Sequence, residues 1–356
     1  GGGRSAGLPP LDPAGHSPRK RGEKPGGCGM TVLFKPDLDE SGLAETLANL
    51  PTRRDEHWKW SDLRRAANDV EGVGTLVVSG VDGDNLVPED GARIDLTTLA
   101  SAGASAADVT LTVKAGRSVT MVERHAAEAG SLGNVHVKIE IEAGARLDRI
   151  IVMPDTSESV FIASSEIVLG EGATLNQTAL DFGGKLNRCE THVTHPGAQT
   201  HVRLDGVYLL KSGRHADQTS IVRHTGPGGT LSQLTKGAVM SGGQGVFRGK
   251  IIVERAAQKT DARMTHRGLL LGDRAEIDAK PELEIYADDV QCAHGNALGA
   301  MDDEALFYMR QRGIPKLKAR ALLIESFLAE PLDGIADEGL RAELLALLRS
   351  RLESVS

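Results

Sequence analysis

Two side chains with ligand chemistry stand two residues apart late in the sequence, in Tyr286-Ala287-Asp288-Asp289-Val290-Gln291-Cys292-Ala293-His294-Gly295. On a β-strand that spacing puts the Cys292 thiol and the His294 imidazole on one face, about 7 Å apart. Thiolate and imidazole suit iron and its sulfide clusters, so the pair could reach one metal or cluster. Two ligands are too few for a stable site, which points to a shared or transient one; the alternative is a buried Cys beside a surface His at a domain junction. A second group, Cys189, His192, His195 and His201, has the residue types of a metal site. Strand parity sends Cys189 and His192 to opposite faces and His195 adjoins Pro196 in a turn, so this stretch reads as a solvated face. His215, His224 and His266 show no shared spacing and read the same way.

Other chemistries lack their residues. The sequence holds no G-x-x-x-x-G-K-[ST], which excludes nucleotide hydrolysis by the usual phosphate loop. Gly243-Gln244-Gly245 with Gly249 only approximates a dinucleotide loop, because no helical pattern follows it. Gly3-Arg4-Ser5-Ala6-Gly7 matches a hydrolase nucleophile elbow, but neither the strand before it nor the helix after it is present, so the match is chance.

The elements that position Cys292 and His294 follow from pattern. From about residue 74 to 292 short alternating segments such as Val135-His136-Val137-Lys138-Ile139-Glu140-Ile141 are broken by Gly-containing turns, the signature of strands with one buried face. The turns at Gly144, Gly172, Gly197, Gly245 and Gly272 recur. If the interval from Gly197 to Gly245 holds two repeats, the stretch from Gly144 to Gly272 holds five, a period of about 25.6. A fixed period in that range signals a solenoid, and without helices its coils make a β-helix; a globular sandwich is the competing architecture. Glycine and alanine fit the tight corners, which accounts for 42 Gly beside 3% aromatic residues.

Helices flank this region. Ser41 is the expected cap of a helix bearing Leu43, Leu47 and Leu50, stopped by Pro51; a second, from about Arg54, carries Trp58, Trp60 and Leu63, and both tryptophans are expected to anchor this unit. Asp302 caps a third that Gly313 ends. Pro315 opens a fourth with Leu317, Ala321, Ile324 and Leu328 on one face, and a last helix carries Leu340, Leu344, Leu347 and Leu348. These stripes are expected either to cap the end of the β-helix or to dock a partner.

Composition bounds the function class. Net charge is −8, and positions 1–29 carry five basic and two acidic side chains, which leaves −11 on the remainder, a poor surface for nucleic-acid backbones. That opening stretch holds nine Gly and five Pro without apolar periodicity and reads as a disordered leader. No run of eighteen apolar residues predicts a membrane span, and three scattered cysteines predict a reducing, cytoplasmic setting. The expected divisions are a leader at 1–29, an N-terminal helical region at 30–73, the β-helix at 74–295 and a C-terminal helical domain at 296–356.

The run from Asp278 to Arg320 has Lys280-Pro281-Glu282-Leu283-Glu284-Ile285-Tyr286-Ala287-Asp288-Asp289-Val290, then Cys292-Ala293-His294-Gly295, then Asp302-Asp303-Glu304-Ala305-Leu306-Phe307-Tyr308 and Arg312-Gly313-Ile314. It resembles the SufD family, within the SufB/SufD superfamily of iron–sulfur cluster assembly proteins. Pro51-Thr-Arg-Arg-Asp-Glu-His-Trp-Lys-Trp-Ser-Asp-Leu63 resembles that family's N-terminal signature. The likeness covers residues 31–356, and the lack of any Cys after Cys292 favours SufD over SufB.

The resemblance implies a right-handed parallel β-helix in a scaffold subunit that is not itself an enzyme. It implies pairing with a SufB-like paralogue through the β-helices, and with a SufC-like ABC ATPase through C-terminal helices bearing Phe307, Tyr308, Leu317, Ile324 and Leu328. ATP binding in that family distorts the SufB–SufD pair and exposes a nascent-cluster site between them. By that likeness His294 is the favoured iron–sulfur ligand and Cys292 a weaker one, for a cluster shared with the partner. No intrinsic nucleotide, nucleic acid or membrane is expected, and a homodimer is a further expected association. Two other classes remain: a polysaccharide-acting β-helix enzyme, for which clustered acids and stacking aromatics are missing, and a homo-oligomeric structural scaffold.

Overall fold

The computed structural model describes residues 33–353 other than 82. The leader expected at 1–29, its Gly3 to Gly7 motif and Cys28 lie outside the described residues. None of the described helices is long and apolar enough to cross a membrane.

From Leu76 to Gly299 the chain forms strands that alternate between a nine-stranded and an eight-stranded sheet, two strands per coil. Neighbours within each sheet run parallel, apart from the opening pair Leu76–Ser79 and Arg93–Ala100, which is antiparallel. This is the expected parallel β-helix. Period-two patterning dictates it: Val135, Val137, Ile139 and Ile141 all point into the interior. Stacked Val, Leu and Ile from both sheets then form one continuous core.

The coil is longer than the turn glycines suggested. Ile94, Met121, Arg149, Gln177, Leu204, Gln233, Met264 and His294 stack in one column. Seven steps thus carry the chain from position 94 to position 294, a period of about 28.6 rather than 25.6. The discrepancy has a geometric cause, because a coil of two strands has two corners. Gly116, Gly144 and Gly172 form one, with φ of 70°, 66° and 64°. Their amides donate to the carbonyls of Ala143, Glu171 and Ala198 in the next coil. Gly213 and Gly242 form the opposite corner, donating to Gly242 and Arg274. Gly272 stacks on Ser241 at that second corner, and Gly245 lies within the strand Gln244–Val253. The interval from 197 to 245 is therefore about one and a half coils.

The N-terminal segment lies on the outer face of the eight-stranded sheet. Helix α1 (Glu40–Ala48) is capped by Asp39 rather than Ser41: the Asp39 carboxylate accepts from the Gly42 amide at 2.9 Å, and Ser41 donates to that carboxylate. The second expected helix is instead a single 3-10 turn, Glu56–Trp58, followed by the short α2 (Leu63–Ala66). Asp55 accepts from the Thr52 amide at 2.8 Å, a local turn that competes with helix propagation. Trp58 is the anchor: it is buried, and the Arg188 guanidinium lies 4.1 Å from its ring centroid. Phe34, Leu43, Leu50, Leu63 and Val70 complete this contact against Leu132, Val160, Ile162 and Leu186.

The C-terminal helices cover the outer face of the other sheet. Asp302 caps α3 (Asp303–Gln311), accepting from the amides of Glu304 and Ala305, and Gly313 closes it at φ 82°. Helices α4 (Lys316–Ala329) and α5 (Glu338–Glu353) bury Ile324, Leu328, Leu340, Leu344, Leu348 and Leu352 against Val122, Ile150, Leu180, Val207, Leu209 and Ala238. They clothe the flank of the solenoid, not its end, because those outward positions of the nine-stranded sheet are themselves apolar. The face expected for α4 is correspondingly split: Ala319 is buried with Ile324 and Leu328, whereas Leu317 is 60% exposed.

Candidate functional site

Cys292 and His294 lie on the strand Gln291–Gly299, which pairs only with Asp261–Leu270 and ends the nine-stranded sheet. In register, Cys292 sits over Ala262, His294 over Met264 and Asn296 over His266. Ala262, Met264 and His266 point into the interior and are buried, so the alternation places Cys292, His294 and Asn296 on the same inward face one coil later. Among the described residues no strand stacks beyond this one. The inward face of the last coil is therefore an open end, with Cys292 half-buried and His294 exposed. The facing strand, Glu276–Ile285, ends the other sheet and turns Ile277, Ala279 and Leu283 toward the same opening, half-buried.

The electrostatics distinguish the two ligand candidates. Burial pushes the Cys292 thiol up, with Asp261 adding to the shift and a hydrogen bond from the Ala262 backbone opposing it. Cys292 alone is therefore a protonated thiol, a weak ligand until a metal displaces its proton. Behind the strand, His266 bridges the Tyr208 hydroxyl at 2.8 Å and the Asn296 side-chain oxygen at 2.7 Å. Its Nδ1 donates to that oxygen, and burial lowers its pKa against that bond, which favours the neutral ring with Nε2 accepting from the Tyr208 hydroxyl. This chain ties the exposed strand to the coil beneath it. Among the described residues no three His, Cys, Asp or Glu side chains converge on a metal position.

The second histidine group is not a solvated face. Cys189 points into the core, and burial raises its thiol to about 12. His195 and His224 are buried, one above the other, with ring centroids 4.3 Å apart. Burial lowers them to about 4 and about 3, so both are neutral. The two are register partners on adjacent coils, a relation visible only with the correct period. His266 is buried as described, and His215 is tucked beneath Ser61, with Nε2 at 3.3 Å from the Ser61 hydroxyl. Only His192, paired with Glu190 at 2.8 Å, and His201 remain on the outside.

Sequence reasoning also missed a polar string inside the core. Arg149 donates to both Glu123 oxygens, at 2.5 and 3.0 Å, and to Gln177 at 2.9 Å; Gln177 donates to Thr191 at 2.9 Å. Inward parity, read with the right coil length, would have found it. Asp181, also inward, accepts from the Gly183 amide and from Asn187, each at 2.8 Å. Burial pushes its carboxyl up to about 7, against those two hydrogen bonds. A raised acid holds its proton in the folded state, so its contribution is most favourable below the ordinary value of 3.8 and is lost as pH rises toward 7. Asp181→Asn is expected to leave stability at pH 4 nearly unchanged and to raise it by roughly 2–4 kcal/mol at pH 8, read from urea midpoints at the two pH values.

Comparison with known proteins adds a family context. Residues 96–327 match the family model described as the SUF system FeS cluster assembly SufBD core domain. The chain is 34% identical over 239 residues to the iron-sulfur cluster assembly protein SufD of Escherichia coli, an alignment that spans 67% of this chain and 56% of that protein. It is 33% identical over 211 residues to a SufBD family protein of Synechocystis, covering 59% of this chain and 47% of the relative. Against SufD of Bacillus subtilis it is 26% identical over 305 residues, 74% of this chain and 69% of the other. The chain thus spans about half the length of the first two of these relatives.

Proposed function

This chain belongs to the SufBD family of iron–sulfur cluster assembly proteins, and from that premise we propose that it is a non-catalytic scaffold subunit whose open last coil supplies half of a nascent-cluster site. The observation that carries this reading is the uncovered inward face bearing Cys292 and His294, two ligands where a cluster needs about four. A second β-helix, from a SufB-like paralogue, would stack on that face and bring the remaining ligands. The half-buried apolar wall of Ile277, Ala279 and Leu283 favours such a partner, because association removes it from water. The iron–sulfur cluster is cargo, built between the chains and passed on.

His294 is exposed and packs against nothing that folding requires, so its removal separates chemistry from stability. His294→Ala is expected to leave the reconstituted complex intact by gel filtration and to lower iron and acid-labile sulfide bound after anaerobic reconstitution at least fivefold. Cys292→Ala is expected to have a smaller effect. Unchanged iron content in the His294 variant would remove it from the site.

A SufC-like ATPase would dock on the exposed apolar side chains of the C-terminal helices. Phe307, Tyr308 and Leu317 are 61%, 59% and 60% exposed, with no core to fill. Ile324 and Leu328, expected in the same role, are buried beneath α4 and hold the helix to the solenoid, so they do not meet a partner. Replacing Phe307, Tyr308 and Leu317 together by Ser is expected to leave the melting temperature nearly unchanged and to weaken retention of the ATPase at least tenfold in pull-down titrations. Full retention would move the docking surface elsewhere.

A further inference from the structure

Away from the open end, a cleft of about 320 Å³ lies between the N-terminal segment and the outer face of the eight-stranded sheet. Its charged lining is Arg53, Arg65, Lys185 and Asp62, and Trp60 and Ala66 supply apolar walls above the buried Leu186. Lys185 is neutralised by Asp69 at 2.5 Å, and Asp62 accepts from the Arg65 amide at 3.0 Å as the cap of α2. Among the described residues neither Arg53 nor Arg65 makes an ion pair at contact distance, although Arg53 lies near enough to Asp278 to lower that carboxyl against its burial. By contrast, Arg93, Arg124, Arg146, Arg149 and Arg188 of the solenoid are each paired with a carboxylate.

The floor of the cleft is rigid. His215, which also lines it, lies against Ser61; Ser61 donates to Asp217 at 2.5 Å, and Asp217 accepts from Arg188 at 2.7 Å. Arg188 in turn is stacked on Trp58. Two guanidinium groups facing one cleft repel each other until an anion lies between them, and a preorganised wall lowers the entropy of capturing one.

We propose that this cleft binds a small organic phosphate, with Arg53 and Arg65 gripping the phosphate and Trp60 and Ala66 covering the organic part. Guanidinium forks match phosphate oxygens in bidentate geometry, and the cleft volume is at the small end of ligand pockets, which suits a compact molecule. The nearby Asp62 carboxylate disfavours ligands with several phosphates.

The test uses the full chain and AMP as the probe, titrated by calorimetry beside inorganic phosphate and adenosine. AMP is expected to bind saturably at one site, phosphate more weakly, and adenosine not at all. Arg53→Ala/Arg65→Ala, on exposed side chains that leave the fold intact by circular dichroism, is expected to weaken AMP at least tenfold, and Arg53→Lys/Arg65→Lys to recover part of that loss. The proposal is overturned by an absence of saturable AMP binding up to about 10 mM, by AMP affinity unchanged in the double Ala variant, or by adenosine or phosphate binding as tightly as AMP.

Discussion

Arg149→Ala is expected to destabilise the protein by about 3–5 kcal/mol, seen as a drop in the urea midpoint at pH 7. Arg149 is 1% exposed inside the solenoid and is the chief counter-charge of Glu123, which is fully buried. Burial alone would push the Glu123 carboxyl up, but Arg149 and His125 more than offset it and hold it at about 2. Without Arg149 the carboxylate keeps its desolvation cost and loses its partner, and the Gln177 side-chain oxygen loses a donor. The same pairing makes stability fall as pH drops from the ordinary carboxylate value of 4.5 toward 2 in the parent protein, since the depressed acid must be protonated there. Arg149→Met combined with Glu123→Leu removes both charges and is expected to recover most of the loss. A midpoint unchanged in Arg149→Ala would mean that water reaches Glu123.

Removing α5 by ending the chain at Gly334 is expected to have a still larger effect. Leu340, Leu344, Leu348 and Leu352 are each buried against the flank of the solenoid, and at about 1.5–3 kcal/mol per side chain their loss is roughly 6–12 kcal/mol. That is comparable with the whole stability of an ordinary domain, ~5–15 kcal/mol. The shortened chain also exposes Ile324, Leu328 and Leu332 together with Val122, Ile150 and Leu180 of the sheet. The expected outcome is a mostly insoluble product whose soluble fraction binds a hydrophobic dye strongly while keeping a β-type circular dichroism spectrum. A soluble, dye-negative fragment would refute the assignment of α5 as a structural cover. For the same reason, deletion of the C-terminal helices cannot test ATPase docking, whereas the exposed Phe307, Tyr308 and Leu317 can.

The β-helix and its open-ended ligand pair were legible from local pattern to different extents. Alternation in Val135 to Ile141 identified strands and their inward residues, and Asp302 with Gly313 bounded α3, because each signal is contained in a few neighbouring residues. The coil length was misjudged because glycines of opposite corners look alike in sequence, Gly172 belonging to one and Gly272 to the other. That error hid every relation between coils, including the stacking of His195 on His224 and of Arg149 between Glu123 and Gln177. In the N-terminal segment, Asp55 stopped a helix that spacing alone suggested.

By itself the sequence determined the class of the fold, the placement of Cys292 and His294 on one face of one strand, and the family likeness that both motifs carry. Only the tertiary structure decided that this face belongs to the last coil and that no described strand covers it, that Ile324 and Leu328 are spent on the flank while Leu317 is exposed, and that a cationic cleft lies under α2. The physical reason is one of range. Parity is set within a strand by backbone geometry, but what lies above or below a side chain is set by register with a residue one full coil away, and that register comes from hydrogen bonds between coils.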